Sequence, residues 1–452
     1  MIVAKFGGTS VGDADAIART VAIVRGRVPR QPVVVVSALA GTTNRLIEIA
    51  EQAATGQLIV ALAILEELRA RHFEAIDALL RGDASHAEVS AETGALFDEL
   101  AHLAEALSVL GHLTPRSHDA VAAMGERLST PIVVAAMARA GIPAAFVDAR
   151  TVMATTDDYG RAEPRPDEIA LNCRAQLLPL LKAGRVPVLG GYIGSTATGV
   201  TTTIGRGGSD FTASLLGAAM DAEAIEIWTD VDGMLTADPR VVPDARLIEH
   251  IRFDEAAELA TFGAKVLHPS TITPAVKRGI PVFVYNSHRP DGAGTRITFD
   301  APRVPVRAIA GKTRTVVVKV RSPRMLAAPG ALRAIFEVFE RNRTSVDVVA
   351  TSEVSVSVTI DDDQHLDTLV AQLSAFGDVA IERHRGIVAL VGAGLGESTV
   401  TMARALAALG DLRLHMVSLS ATGINLTLIM DGDVVPEAMR RLHGEFFGKA
   451  AA

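Results

Sequence analysis

The chain opens with a lysine directly ahead of paired glycines: Lys5-Phe6-Gly7-Gly8-Thr9-Ser10 follows the apolar run Met1-Ile2-Val3-Ala4. An apolar strand stopped by glycines and hydroxyls, with helical periodicity after it, gathers backbone N–H groups, two hydroxyls and a cation at one loop. Those are the groups that hold a phosphate. A tight strand-to-helix turn accounts for the glycine pair equally well, and the chain has no GxxxxGK[ST] loop. A second loop of the same kind, Ser37-Ala38-Leu39-Ala40-Gly41-Thr42-Thr43, again follows an apolar run. The third stretch, Arg206-Gly207-Gly208-Ser209-Asp210, opens an apolar helix, so amides, a guanidinium and a carboxylate converge on one helix N-terminus. Asp210 could merely complement the helix dipole. Arg206, set among glycines, reads as a clamp for a carboxylate or a phosphate.

Further on, an apolar run ends in Thr229-Asp230, followed by Asp232-Gly233 and Asp238-Pro239-Arg240. Turn chemistry explains the Asp-Gly and Asp-Pro pairs. It does not explain Arg240, or Lys265 in Phe262-Gly263-Ala264-Lys265-Val266-Leu267-His268-Pro269.

These loops need a scaffold, and from residue 1 to about 300 short apolar runs alternate with helical stretches. That pattern predicts a mostly parallel sheet covered by helices on both faces. Residues 57–110, rich in Ala, Leu and Glu without a strand signal, read as a helical insertion with a packing role. After about 303 the order becomes strand, helix, strand, strand, helix, strand, and it then repeats with the last strand missing. Two ferredoxin-like βαββαβ modules are therefore expected, over 312–384 and 385–447, with the run 304–311 free to complete the second. The predicted division is a catalytic domain over 1–303 and a paired module over 304–452.

Composition sets the outer bounds. At 452 residues several domains are expected, and 49% hydrophobic with 21% charged residues supports packed interiors. Forty-four Lys+Arg against 52 Asp+Glu give a net charge of −8, which argues against a nucleic acid or an anionic membrane as partner. One cysteine, Cys173, allows neither an internal disulfide nor a multi-cysteine metal site, in keeping with a reducing cytoplasm. The strongest apolar run, 58–65, is too short to span a bilayer.

The stretches KFGGTSV, VSALAGTTN, GERLST, TTTIGRGGSDFTASLL, WTDVDGMLTADPR and FGAKVLHPSTITPA, in this order, resemble the aspartokinase family over essentially the whole chain. SEVSVSVTI and the repeat after it resemble that family's paired ACT modules, closest to the lysine-sensitive branch. The resemblance implies an amino-acid-kinase fold that phosphorylates the β-carboxylate of L-aspartate with ATP, the first step of lysine, threonine and methionine biosynthesis. Mg2+ would be carried mainly on the nucleotide phosphates, with no metal site of the protein's own. In its terms Lys5, Gly7, Gly8 and Asp210 are catalytic, Asp210 orienting Lys5 and the acceptor. Ser37, Thr43, Glu126, Arg206 and Ser209 hold aspartate, with Arg206 on the α-carboxylate and Glu126 on the ammonium. Lys5, Thr9, Ser10, Thr229, Asp230, Arg240 and Lys265 take the nucleotide side. Met325, Gly330, Ser345, Val346, Asp347, Ser352 and Glu353 match the effector region, where lysine is the first candidate and threonine the second. Leu235, where near relatives have a tyrosine, and Ala327-Ala328-Pro329 depart from the family pattern. A homodimer or higher homo-oligomer through the ACT modules is expected. Two other readings are a kinase of another amino acid such as glutamate, and a silent amino-acid sensor; the second would be expected to lose Lys5, Arg206 or Asp210, and all three are present.

Overall fold

The computed structural model describes residues 1–205, 207–262, 269–325, 328–361 and 365–448. The chain forms two compact units, Met1–Met234 with Leu267–Phe299, and Leu235–Val266 with Asp300–Ala452.

In the first unit the runs of β-branched residues become the centre of a sheet, since only strands covered on both faces can be apolar throughout. Strand order is Ala144–Phe146, Val186–Gly190, Pro32–Val36, Ile2–Phe6, Ala224–Thr229, Val282–Asn286 and Thr295–Thr298. All neighbours in this series run parallel except the last pair. Lys5 lies opposite Val35 on one side and Ile227 on the other, which places its side chain at the C-terminal edge of the sheet. In open α/β sheets that edge is where ligands bind. Asp13 caps the helix Ala14–Arg27 by accepting from Ala16 N–H at 2.8 Å, fixing the exit of the first loop. The insertion is a pair of long helices, Leu58–Leu80 and His86–Leu110, packed with Thr42–Ala54 through Leu46, Ile49, Leu65, Leu68, Phe97 and Leu100. One helical stretch, Pro115–Arg139, is long and apolar enough to cross a membrane by composition, but 83% of its most apolar window is buried inside the fold.

The second unit contains a six-stranded antiparallel sheet in the order Val349–Ser352, Ser355–Ile360, Ala308–Arg321, Asp378–Val391, Asn425–Asp431, Met416–Leu419. Its two middle strands are each 14 residues long. Residues 308–312 pair with 387–391, whereas 317–321 pair with 378–382 and 316–321 also with 355–360; the register breaks between Lys312 and Val317. Each long strand thus serves two ferredoxin-like ACT modules. Helices Ala331–Arg341 and Leu366–Leu373 cover one, and Thr399–Leu409 and Val435–Phe447 the other.

Packing does not divide the chain by a single cut at 303. The segment from Leu235 joins the second unit, where Ala237 and Val242 enter the core with Leu390 and Leu428. Glu255, fully buried, accepts from Arg307 Nε at 3.2 Å and from Ala393 N–H at 2.9 Å, while Glu258 accepts from Asn425 Nδ2 at 2.9 Å. Such long-range polar partners leave no periodic trace in sequence.

Candidate active site

Two loops at the C-terminal ends of parallel strands and the start of helix Gly208–Ala219 line a cleft of ≈ 660 Å³, with Lys5, Gly8, Ser37, Thr43, Glu126, Ser209 and Asp210 among its walls. Lys5 is only 8% exposed, and its Nζ lies 2.7 Å from Asp210 Oδ1. The N-terminus of helix Gly208–Ala219 carries Asp210 into this position through Gly207, whose φ of 70° suits glycine. A Cβ on Gly208 would stand 2.6 Å from the Tyr192 ring, so this helix start can approach the sheet only without a side chain there.

Glu126 sits in the first turn of helix Met124–Arg139 and is 3% exposed. Its Oε1 accepts from Ala38 N–H at 3.2 Å, while the buried Oε2 has no hydrogen-bond partner among the described residues. Burial pushes this carboxyl up to about 8, against the pull of the Ala38 amide and of Lys5. A cation reaching Oε2 would reverse that shift.

The first loop is tied to the end of strand Ala224–Thr229. Gly7 N–H donates to Trp228 O at 3.0 Å, and of the glycine pair it is Gly8 that lines the cleft. Ser10 is buried, and its hydroxyl donates to Ser287 Oγ at 2.8 Å, which makes it a brace within the fold. Thr9 is exposed, Thr229 donates to Asp230 Oδ1 at 3.1 Å, and Asp230 is exposed beside the same loop. Arg240 belongs to the second unit, 82% exposed and paired with Asp238 at 2.7 Å. Arg206 and Lys265 lie outside the described residues.

Sequence reasoning missed two groups here. Asp119, fully buried, accepts from Gly160 N–H (2.9 Å), Thr203 N–H (3.0 Å) and Thr203 Oγ1 (2.7 Å), pinning two loops beside the cleft. His118 lines the cleft next to it, and hydrogen bonding to Asp119 lifts its imidazole above the ordinary value. Both sit in a helix of otherwise ordinary pattern, so only a contact map exposes them.

The effector-region residues all fall in the first ACT module. Met325 and Val346 pack against its core, and Gly330, at φ 85°, precedes helix Ala331–Arg341. Ser345 is exposed, and Ser352 and Glu353 lie at the turn between strands Val349–Ser352 and Ser355–Ile360, Ser352 bonded to Ser355 at 2.7 Å. Asp347 Oδ2 lies 3.3 Å from Lys312 Nζ, which also holds Asp361 at 2.7 Å. Burial pushes the Asp347 carboxyl up to about 6.

Residues 1–286 match the model of the amino acid kinase family. The chain is 37% identical to the lysine-sensitive aspartokinase 3 of Escherichia coli over 99% of both chains. It is 35% identical to the chloroplastic aspartokinase 3 of Arabidopsis thaliana over 98% of this chain and 81% of that one. The crystal structure of E. coli aspartokinase III with aspartate and ADP superposes with a TM-score of 0.86 at 36% identity, covering 99% of this chain and 100% of that one. The lysine and aspartate complex of the same enzyme gives 0.82 at 37%, covering 99% of each. A buried lysine–aspartate pair and a buried carboxyl lining one cleft, together with relatives matched over nearly all of this chain, lead to one assignment: the chain belongs to the aspartokinases of the amino acid kinase family.

Proposed function

We propose that the cleft transfers the γ-phosphoryl group of ATP to the β-carboxylate of L-aspartate, giving 4-phospho-L-aspartate and ADP. The observation that carries this reading is the Lys5–Asp210 ion pair sharing one cleft with Glu126, whose Oε2 has no partner among the described residues. A β-carboxylate oxygen attacks the γ-phosphorus as the bond from phosphorus to the ADP oxygen breaks. The acceptor is already ionised at neutral pH, so no base is required. Catalysis then consists of positioning and of positive charge on the phosphoryl oxygens. Lys5 supplies that charge, Asp210 holds Lys5 in place, and the Gly8 amide assists. Glu126 takes the substrate ammonium, while Ser37, Thr43 and Ser209 line the wall on which aspartate lies. The roles given to Arg206 on the α-carboxylate and to Lys265 on the nucleotide rest on the motifs alone.

Among the described residues no three His, Cys, Asp or Glu side chains gather at one point, and Asp210 is committed to Lys5. Mg2+ would be carried mainly on the nucleotide phosphates and water, where it neutralises phosphate charge. Lysine is the proposed feedback effector, with threonine second. The E. coli relative is named as lysine-sensitive, and Asp347 offers an acidic partner for an ammonium in the matching module. Association of copies through the regulatory unit is supported by the sheet-edge strands Val349–Ser352 and Met416–Leu419, which expose Val349, Val417 and Leu419. A cytoplasmic setting agrees with a lone, buried thiol at Cys173.

The test is an ATP- and Mg2+-dependent hydroxamate assay with aspartate, with glutamate as control, repeated with lysine or threonine. Hydroxamate from aspartate alone, suppressed by lysine, is the expected result. Equal product from glutamate would overturn the substrate assignment, and no product would favour a silent sensor.

A further inference from the structure

One side chain of the helical insertion, that of Arg71, bonds to both of the glycine-rich loops that border the cleft. Arg71, on helix Leu58–Leu80, donates from Nη1 to Ala40 O and from Nη2 to Gly12 O, both at 2.6 Å. Gly12 closes the 3-10 turn Gly8–Val11 that follows Lys5, and Ala40 belongs to the second loop, between Ser37 and Thr43. One planar fork thus binds a carbonyl from each glycine-rich loop, a geometry for which a guanidinium is suited and a single ammonium is not. Without it, two carbonyl dipoles would face the same point with no donor between them.

The loops already meet at van der Waals distance elsewhere. A Cβ on Gly12 would come 3.2 Å from Ala40 Cβ, and one on Gly8 would come 3.2 Å from Ala38 O. Close contact therefore limits their approach, and Arg71 opposes their separation. The arginine itself rests on a fixed base: its neighbour His72 is buried, bonded through Nδ1 to Leu68 O at 2.7 Å and edge-on to Phe97 at 5.3 Å.

We propose that Arg71 is a positioning residue that clamps the two loops and so fixes the distance between the phosphoryl-binding half of the cleft, at Lys5 and Gly8, and the aspartate-binding half, at Ser37 and Thr43. The proposal rests on the reading of the cleft as an aspartate kinase site. Each half keeps its own ligand contacts when the clamp is lost; what changes is the in-line alignment of acceptor and phosphorus. A misplacement of about 1 Å costs on the order of 100-fold in rate.

The experiment compares full-length wild type, Arg71→Ala, Arg71→Lys and the control Arg69→Ala, whose guanidinium, on the same helix as Arg71, pairs with Asp98 of helix His86–Leu110. Steady-state hydroxamate kinetics and melting curves are recorded with and without millimolar guanidinium chloride. For Arg71→Ala, kcat is expected to fall roughly 10- to 100-fold with both KM values within about three-fold of wild type. Guanidinium should restore several-fold of that loss, and do nothing for wild type or Arg69→Ala. Arg71→Lys should fall between wild type and Arg71→Ala. A kcat for Arg71→Ala within two-fold of wild type overturns the proposal. So does a loss of rate that follows a lowered melting temperature and does not respond to guanidinium, which would make Arg71 a packing residue only. An inactive wild type would instead overturn the kinase reading itself.

Discussion

Glu126→Gln separates the two things this carboxyl does, because the side chain keeps its shape and loses its charge. With its folded value at about 8 against an ordinary 4.5, ionising Glu126 without a bound cation carries a penalty of roughly 5 kcal/mol at most. The sign follows from linkage. Below pH 4.5 both folded and unfolded chains are protonated and nothing is lost. Between 4.5 and about 8 the unfolded chain ionises first, so stability falls by roughly 1.4 kcal/mol per pH unit, and above 8 the loss is complete. Glu126→Gln should therefore match wild type near pH 4.5 and exceed it by several kcal/mol at pH 8.5, read by denaturant unfolding without substrates. Binding runs the other way. Aspartate needs the ionised carboxylate, whose fraction in the empty cleft rises roughly 20-fold between pH 6.5 and 8.5 for a value near 8. The wild-type KM for aspartate should fall by about that factor over this range. In Glu126→Gln it should be flat and raised at least about 30-fold, the loss of a buried charge partner costing 2 kcal/mol or more. A wild-type KM independent of pH, or a Glu126→Gln protein less stable than wild type at pH 8.5, would refute the assignment of Glu126 to the substrate ammonium.

Three further outcomes are expected. His72 is held neutral by burial, its imidazole lowered to about 4, so its contribution is present above pH 6.5 and is lost as pH falls toward 4, by roughly 3 kcal/mol; His72→Phe should flatten the acid limb of a pH-dependent melting curve. Asp119→Ala strands the two amides and the hydroxyl that it bonds and should cost about 3 kcal/mol, with a raised KM for aspartate as the loops at Gly160 and Thr203 loosen. Asp347→Ala should abolish lysine inhibition and leave kcat without lysine within about two-fold of wild type; undiminished inhibition would exclude Asp347 from the effector site.

What the sequence made legible was chemistry that must sit on consecutive residues. Lys5 ahead of Gly7-Gly8, the Ser37–Thr43 loop and the Gly207–Asp210 helix start are local patterns, and the structure brings all three to one cleft. The strand-and-helix order of the C-terminal third was readable for the same reason. Partners distant in sequence were not. Asp119 and Thr203, Arg71 and Gly12, and Glu255 and Ala393 are joined only by folding. Gly7 shows the converse limit: the local pattern offered its amide to a ligand, yet its N–H is taken by Trp228 O, which no local pattern reveals.

The most direct measurement uses aspartate labelled with 18O in the β-carboxylate, incubated with ATP, Mg2+ and hydroxylamine. Hydroxylamine attacks the carbonyl carbon of the acyl phosphate, so the inorganic phosphate released should carry one 18O, in amount equal to the hydroxamate formed. Unlabelled phosphate appearing with ADP would mean that water, and not the β-carboxylate, attacks the γ-phosphorus, and would contradict the account.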